Sequence, residues 1–100
     1  MAKDKITVER RGHVLLMGIN RPEKRNAFDI DTYNQLAMAY AELDQDDDLR
    51  CGMVYGQGDH FTAGLDLAQW SEKFAAGDAL KPPEGGIDPC GINGPRMRKP

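Results

Sequence analysis

Apolar and polar positions alternate over residues 5–10 (KITVER), the pattern of a half-buried strand. The tripeptide RRG then turns the chain. Residues 13–19 (HVLLMGI) are apolar at successive positions, which predicts a central strand covered on both faces. Together the two segments predict a hairpin. Residues 20–28 (NRPEKRNAF) combine proline with mixed charge and read as a loop. Over residues 29–45 (DIDTYNQLAMAYAELDQ), Ile30, Tyr33, Ala37 and Tyr40 recur at helical spacing, with Leu36 and Leu43 widening the stripe. That is an amphipathic helix of about four turns. Asp29 or Asp31 would cap it. The acids of residues 44–48 oppose the negative end of the helix dipole, so the helix is expected to stop there.

Residues 49–56 (LRCGMVYG) form a short apolar run and read as a second buried strand. Strand, helix and strand across 13–55 predict a β-α-β unit with a parallel pair and a right-handed crossover. Residues 56–61 (GQGDHF) are a loop. Residues 65–77 predict a second helix with Leu67, Trp70 and Phe74 on one side and Gly77 near its C-cap. Residues 78–100 lose all periodicity and hold five of the six prolines and four of the eleven glycines. They read as a long loop or lid. The fold class is therefore α/β. Residues 1–77 carry the hairpin, the β-α-β unit and the second helix; residues 78–100 form the Pro/Gly-rich segment.

Length and composition narrow the class. One hundred residues allow one small domain with a modest core. With 40% hydrophobic and 29% charged residues, the chain has globular balance. No apolar run in the chain approaches the length needed to cross a bilayer, so no membrane role is expected. The N-terminal stretch lacks the apolar core of a secretory signal. Cys51 and Cys90 stand far apart without ligand or framework spacing, which predicts a reducing, cytoplasmic setting. The net charge of −3 is unevenly spread. Residues 1–25 hold seven bases against three acids, residues 26–95 three bases against thirteen acids, and the last five residues three bases. An acidic body with a basic corner argues against general nucleic-acid binding and fits a small anionic ligand held at one place.

Several familiar chemistries fail on spacing. Residues 56–61 are similar to a dinucleotide-binding loop, but Phe61 replaces the third glycine and no helix opens directly behind it. Residues 44–49 begin like a calcium loop, but Leu49 and Tyr55 occupy the positions that need glycine and glutamate. No two of His13, His60, Cys51 and Cys90 lie at metal-ligand spacing. Ser71 is the only serine, so no serine-histidine-acid set can be built. His60 reads as a loop residue packing on Phe61.

Two loops remain. RPEKR (21–25) places three cations together, and HFTAGLDL (60–67) places small residues before a helix. Ligands of open α/β sheets gather at loops that leave neighbouring parallel strands. Gly64 has no Cβ, so a ligand can approach the backbone. The N–H groups of Leu65 and Asp66 would lie at the helix start, where amides lack internal partners and the dipole favours negative charge. The turn is either an anion or oxyanion site or a plain change of direction.

INRPEKRNAF, the helix after it, and DLRCGMVYGQGDHFTAGLDL resemble the first part of the enoyl-CoA hydratase/isomerase family, the crotonase fold. An R-P-x-x-x-N-A loop, a helix, an acid-rich turn, a strand and a G-x-G-x-x-F-small-small-G-x-D segment follow in order over residues 13–70. The resemblance implies a spiral of β-β-α turns, assembled as trimers or pairs of trimers, that binds acyl-CoA thioesters. It makes the Leu65 N–H one oxyanion donor and lets Ala63, Gly64, Leu65, Asp66 and Leu67 line the thioester and pantetheine path. Lys24 and Arg25 would meet the phosphates or ribose of coenzyme A, and Ala27 would lie along it. Coenzyme A enters as part of the substrate, with no covalent cofactor. The family's second donor and its catalytic acids come after the K-P pair at which this sequence stops, and Glu72, Glu84 and Asp88 match none of those acids. Hydration of a 2-enoyl-CoA is the leading expectation. Isomerisation, decarboxylation or another lyase reaction, a CoA-binding module without turnover, and an incomplete piece needing a companion chain are the alternatives.

Overall fold

The computed structural model describes residues 4–100. Lys3, part of the basic N-terminal stretch, lies outside the described residues. Strand β1 (Ile6–Arg11) pairs antiparallel with β2 (Val14–Ile19), and β2 pairs parallel with β3 (Cys51–Gly56), giving the sheet order β1-β2-β3. The crossover is helix α1 (Ile30–Gln45), and helix α2 (Leu67–Ala76) follows β3. The hairpin, the parallel pair and both helices thus lie where hydrophobic periodicity places them. A short 3-10 turn, Pro22–Lys24, occupies the segment read as a loop.

The core forms where the central strand meets α1. Leu15, Met17 and Ile19 of β2 pack with Ile6, Leu36, Ala39, Leu43 and Leu49. Burying one such leucine or isoleucine side chain contributes roughly 1.5–3 kcal/mol. Asp29 is the N-cap of α1: its Oδ1 accepts the Thr32 N–H at 2.8 Å and the Thr32 hydroxyl at 2.6 Å. A cap of this type contributes about 1 kcal/mol. The helix stops at Gln45, as the run of acids requires.

Two expectations about burial are corrected. β3 is not a second buried strand: none of its residues is buried, and Met53 is 50% exposed. It is the edge of the sheet, and the Gly52 N–H donates to the Pro100 carbonyl at 2.9 Å. In α2, Leu67, Trp70 and Phe74 do share one side, but only Trp70 is buried; Leu67 is 68% exposed and Phe74 50% exposed. The spacing fixes which residues share a face, and only the middle of that face is covered. The helix also begins two residues later than its pattern, at Leu67, and ends at Gly77.

Residues 78–100 contain no helix or strand, yet α1 holds them at several points. The Ile87 N–H donates to the Ala37 carbonyl at 3.0 Å, and Ile87 is buried. The Tyr33 hydroxyl donates to Asp88 at 2.9 Å. The Arg98 N–H reaches Asp44 at 2.9 Å. Among the described residues no helix is long and apolar enough to cross a membrane.

Candidate functional site

Because β2 and β3 run parallel, the loops that follow them leave from the same edge of the sheet. The Gln57 N–H donates to the Ile19 carbonyl at 2.9 Å, so the second loop starts against the end of the first strand. Gly56 then lets the chain fold back on itself. A Cβ there would collide with the backbone of His60 and Phe61. This is the physical reason for a glycine that sequence alone shares with nucleotide-binding loops.

Asn26 joins the two loops. It is fully buried in a left-handed conformation (φ 58°). Its Oδ1 accepts the Arg21 N–H at 2.8 Å, and its Nδ2 donates to the carbonyls of Gln57 at 2.9 Å and His60 at 2.6 Å. Its own carbonyl accepts the Thr62 hydroxyl at 2.6 Å. Sequence reasoning quoted Asn26 within a motif and gave it no task. The available signal was an asparagine beside a proline-initiated turn, a residue type that tolerates positive φ.

Beyond Asn26 the loops meet again at an isolated parallel bridge between Phe28 and Leu65. The Phe28 N–H donates to the Gly64 carbonyl and the Asp66 N–H to the Phe28 carbonyl, both at 2.7 Å. The Gly64 N–H donates to the Thr62 hydroxyl at 3.1 Å. The amides on either side of Leu65 are therefore occupied, while the Leu65 N–H has no partner among the described residues. Gly64 has φ 93°, and a Cβ built on it would meet nothing within 4 Å.

The expectation that Leu65 and Asp66 both offer free N–H groups at a helix start is thus corrected. Asp66 is the N-cap of α2, Leu65 precedes the helix, and the Asp66 amide is taken by Phe28. Strand pairing, not helix geometry, decides which amide stays open. The Asp66 carboxylate is also engaged, 3.4 Å from the Arg21 guanidinium. Ala63 and Gly64 are exposed beside Leu65, and Leu67 opens α2 with its side chain outside.

The structure sorts the cations. Arg21 is turned inward: its guanidinium donates to the Ala27 carbonyl at 2.8 Å and lies 3.6 Å from Asp29. Lys5 pairs with Asp29 at 2.7 Å, Arg10 with Glu42 and Asp46, and Arg11 with Glu9. Of the described bases in the N-terminal stretch, Lys24 and Arg25 alone have no acidic partner, and both are exposed on the first loop. Ala27 lies between them and the bridge, partly covered. Burial by itself would raise the Asp29 carboxyl. Hydrogen bonds from Lys5 and Thr32, with the Arg21 charge, hold it instead at about 2, below its ordinary 3.8.

His60 is exposed, and its carbonyl rather than its ring is used. Cys51 and Cys90 are both free thiols. No cluster of three metal-ligating side chains occurs among the described residues. An open groove of about 1070 Å³ between β1 and α1 is lined by Ile6, Val8, Met38 and Glu42 among others. None of the candidate residues borders it.

Comparison with known proteins shows what the chain is similar to. The family model for enoyl-CoA hydratase/isomerase matches residues 9–84. Enoyl-CoA hydratase EchA19 of Mycobacterium tuberculosis is 38% identical over 97 residues, covering 93% of this chain and 35% of that protein. The mitochondrial Delta(3,5)-Delta(2,4)-dienoyl-CoA isomerase of Rattus norvegicus is 39% identical over 71 residues, covering 71% of this chain and 20% of that protein. The crystal structure of a probable enoyl-CoA hydratase/isomerase from Mycobacterium abscessus superposes with a TM-score of 0.87 at 45% identity. That superposition covers 96% of this chain and 36% of the other. The chain thus spans roughly a third or less of the length of these relatives. Its sheet, crossover helix and second helix have the crotonase fold of those neighbours, and the chain belongs to the enoyl-CoA hydratase/isomerase family.

Proposed function

We propose that this chain is the acyl-CoA-binding part of an enoyl-CoA hydratase/isomerase-type enzyme, and that the complete site hydrates a 2-enoyl-CoA. The observation that carries this reading is the Leu65 N–H, unpartnered between two partnered neighbours and beside a glycine whose Cβ position is open. It would donate to the thioester carbonyl oxygen. In hydration, the oxygen of water bonds to C3 as one of its O–H bonds breaks and that proton passes to a basic acceptor, while the C2=C3 electron pair shifts toward the thioester, leaving an enolate whose charge rests on that oxygen. A proton then reaches C2. The donor matters most when the charge has formed, and one such donor lowers a barrier by roughly 3 kcal/mol.

Lys24 and Arg25 would hold the phosphates or ribose of coenzyme A, with Ala27 along it. Ala63, Gly64 and Leu67 would line the path of the thioester and pantetheine. Asp66 contributes through its bond to Phe28 and its pairing with Arg21. Coenzyme A is carried in as part of the substrate, and no covalent cofactor is needed. The second donor and the acids that move protons come from polypeptide outside these 100 residues, on the same or a companion chain. Assembly as trimers or pairs of trimers fits the apolar residues left outside, among them Met38, Met53, Leu67 and Phe74.

Calorimetric titration with butanoyl-CoA, which carries no double bond to hydrate, tests the reading. Lys24→Ala with Arg25→Ala should weaken binding roughly tenfold, about 1.4 kcal/mol. The loss should shrink as salt rises. Gly64→Val carries a backbone cost of about 1–3 kcal/mol because of its positive φ. Binding to the folded fraction should nevertheless fall further than stability does, since the new side chain occupies the approach to Leu65. Unchanged affinity in both variants would remove the proposed site.

A further inference from the structure

Asp88 is a buried carboxylate, 2% exposed, with no cation beside it among the described residues. A buried charge without a counterion persists only when several donors face it. Here there are four. Oδ1 accepts the Tyr33 hydroxyl and the Cys90 N–H, each at 2.9 Å; Oδ2 accepts the N–H groups of Ile92 at 3.0 Å and Asn93 at 2.9 Å. Three of these donors belong to the loop that Asp88 itself begins, and they order it. The fourth, Tyr33, lies on α1 and leads elsewhere.

Tyr33 is 1% exposed, and its ring meets Trp70 edge-on, with centroids 5.3 Å apart and planes at 82°. The Trp70 Nε1–H donates to the Phe28 carbonyl at 2.9 Å. That carbonyl also accepts the Asp66 N–H at 2.7 Å, so indole and amide share its two lone pairs. Phe28 in turn binds Gly64 through its N–H. A continuous line of contacts therefore runs from the 88–93 loop to the three residues centred on Leu65.

We propose that Asp88, Tyr33 and Trp70 are positioning residues: they fix the Phe28 carbonyl and, through it, the orientation in which the Leu65 N–H is presented. Asp88 aims the Tyr33 hydroxyl, Tyr33 bounds the indole, and the indole fills the second lone pair of Phe28. The carbonyl then cannot rotate away from Asp66 without leaving a buried indole N–H unpaired. The use of the Leu65 amide for a thioester rests on the proposed function; the ordering of the backbone does not.

The test uses the ¹⁵N-labelled 100-residue chain with Tyr33→Phe, which keeps the ring and removes only the hydroxyl. Amides of the 88–93 loop will shift in any case, because they lie beside the lost hydroxyl. The proposal expects more: the Trp70 indole N–H and the Leu65 amide also shift, and exchange of the Asp66 amide with solvent rises about tenfold as the bridge opens more often. Trp70 is the only tryptophan, so its indole signal is unambiguous. Changes confined to the 88–93 loop, with the Trp70 and Leu65 signals and Asp66 exchange unmoved, overturn the proposal. Should Tyr33→Phe fail to fold, Trp70→Phe keeps an aromatic edge against Tyr33 and removes the indole donor, and the same Asp66 exchange decides. Butanoyl-CoA separates the two readings. A wild-type chain that does not bind it counts against the proposed function, while the exchange result still decides the positioning role. If it binds, the Tyr33→Phe chain should bind about tenfold more weakly.

Discussion

Asn26→Ala should destabilise the chain more than any exposed loop substitution, and the structure gives the size of the effect. Alanine removes the acceptor of the Arg21 N–H and the donor to the carbonyls of Gln57 and His60. The orientation of the amide is dictated by these partners, because a backbone N–H can only donate and a carbonyl can only accept. Each stranded buried group costs about 1–3 kcal/mol. Gln57 and His60 lie near solvent, so water relieves part of their loss and the low end applies to them. Alanine also tolerates φ 58° less well than asparagine, by up to about 1 kcal/mol. The total is about 3–5 kcal/mol, which lowers the thermal midpoint of a chain this size by roughly 12–30 °C. Differential scanning calorimetry measures it directly. A loss under about 1 kcal/mol would mean that the two loops are held together without Asn26. Asn26→Asp sharpens the test with an isosteric change. Its second oxygen would face two carbonyls, which disfavours the charged form and raises the folded pKa above the unfolded value of about 3.9. A raised carboxyl is best accommodated at low pH, so the deficit relative to wild type must grow as pH rises from about 4 to 7. A deficit that shrinks over that range would refute the assignment of Nδ2 to the carbonyls.

Two further perturbations address the elements that carry this site. The folded Asp29 carboxyl titrates at about 2. A depressed carboxyl stabilises above its unfolded pKa and loses that contribution as pH falls through the folded value, so roughly 2 kcal/mol should vanish between about pH 4 and pH 2. Asn at position 29 keeps the cap oxygen, so Asp29→Asn should be less stable than wild type in urea at pH 7 and approach it at pH 2; a gap independent of pH would rule out the charge as the cause. Lys99 closes the end of α1, its Nζ donating to the carbonyls of Leu43 and Leu49 at 2.8 Å and Asp46 at 2.6 Å. Lys99→Met keeps an unbranched apolar stem and removes all three donations; urea unfolding should show a loss of about 2–3 kcal/mol, and a loss under about 0.5 kcal/mol would mean that water replaces the ammonium.

Most of the secondary structure was legible because it follows from one-dimensional spacing. Residues 14–19 are apolar in succession and become the central strand; Tyr33, Leu36, Ala37 and Leu43 recur at helical spacing and are buried on α1. The unreadable part concerns what lies across from a face. Leu67, Trp70 and Phe74 have the spacing of a buried stripe, yet only Trp70 reaches Tyr33 and Phe28, residues some forty positions earlier. β3 has a core strand's composition and an edge strand's exposure for the same reason. Asp88 was partly decidable: an aspartate before proline that binds the N–H two residues on is a known turn device. Its bond to Tyr33 spans 55 residues and has no local signature.

The candidate site shows how far local rules carry. Small residues before a helix leave the backbone uncovered, and a Cβ at Gly64 would meet nothing within 4 Å, but the helix rule by itself offers Leu65 and Asp66 equally. In a parallel bridge, the residue opposite the partner turns its N–H away, while its neighbours supply the bonding carbonyl and amide. Phe28 faces Leu65, so Gly64 and Asp66 are bound and Leu65 is released. The open donor is thus specified by a residue 37 positions earlier, and Asn26, two residues before Phe28, holds that residue's loop in place. An oxygen ligand at this edge would meet one amide whose direction is set by pairing on both sides. Such a donor needs little reorganisation when charge forms, which is the condition for electrostatic stabilisation to lower a barrier.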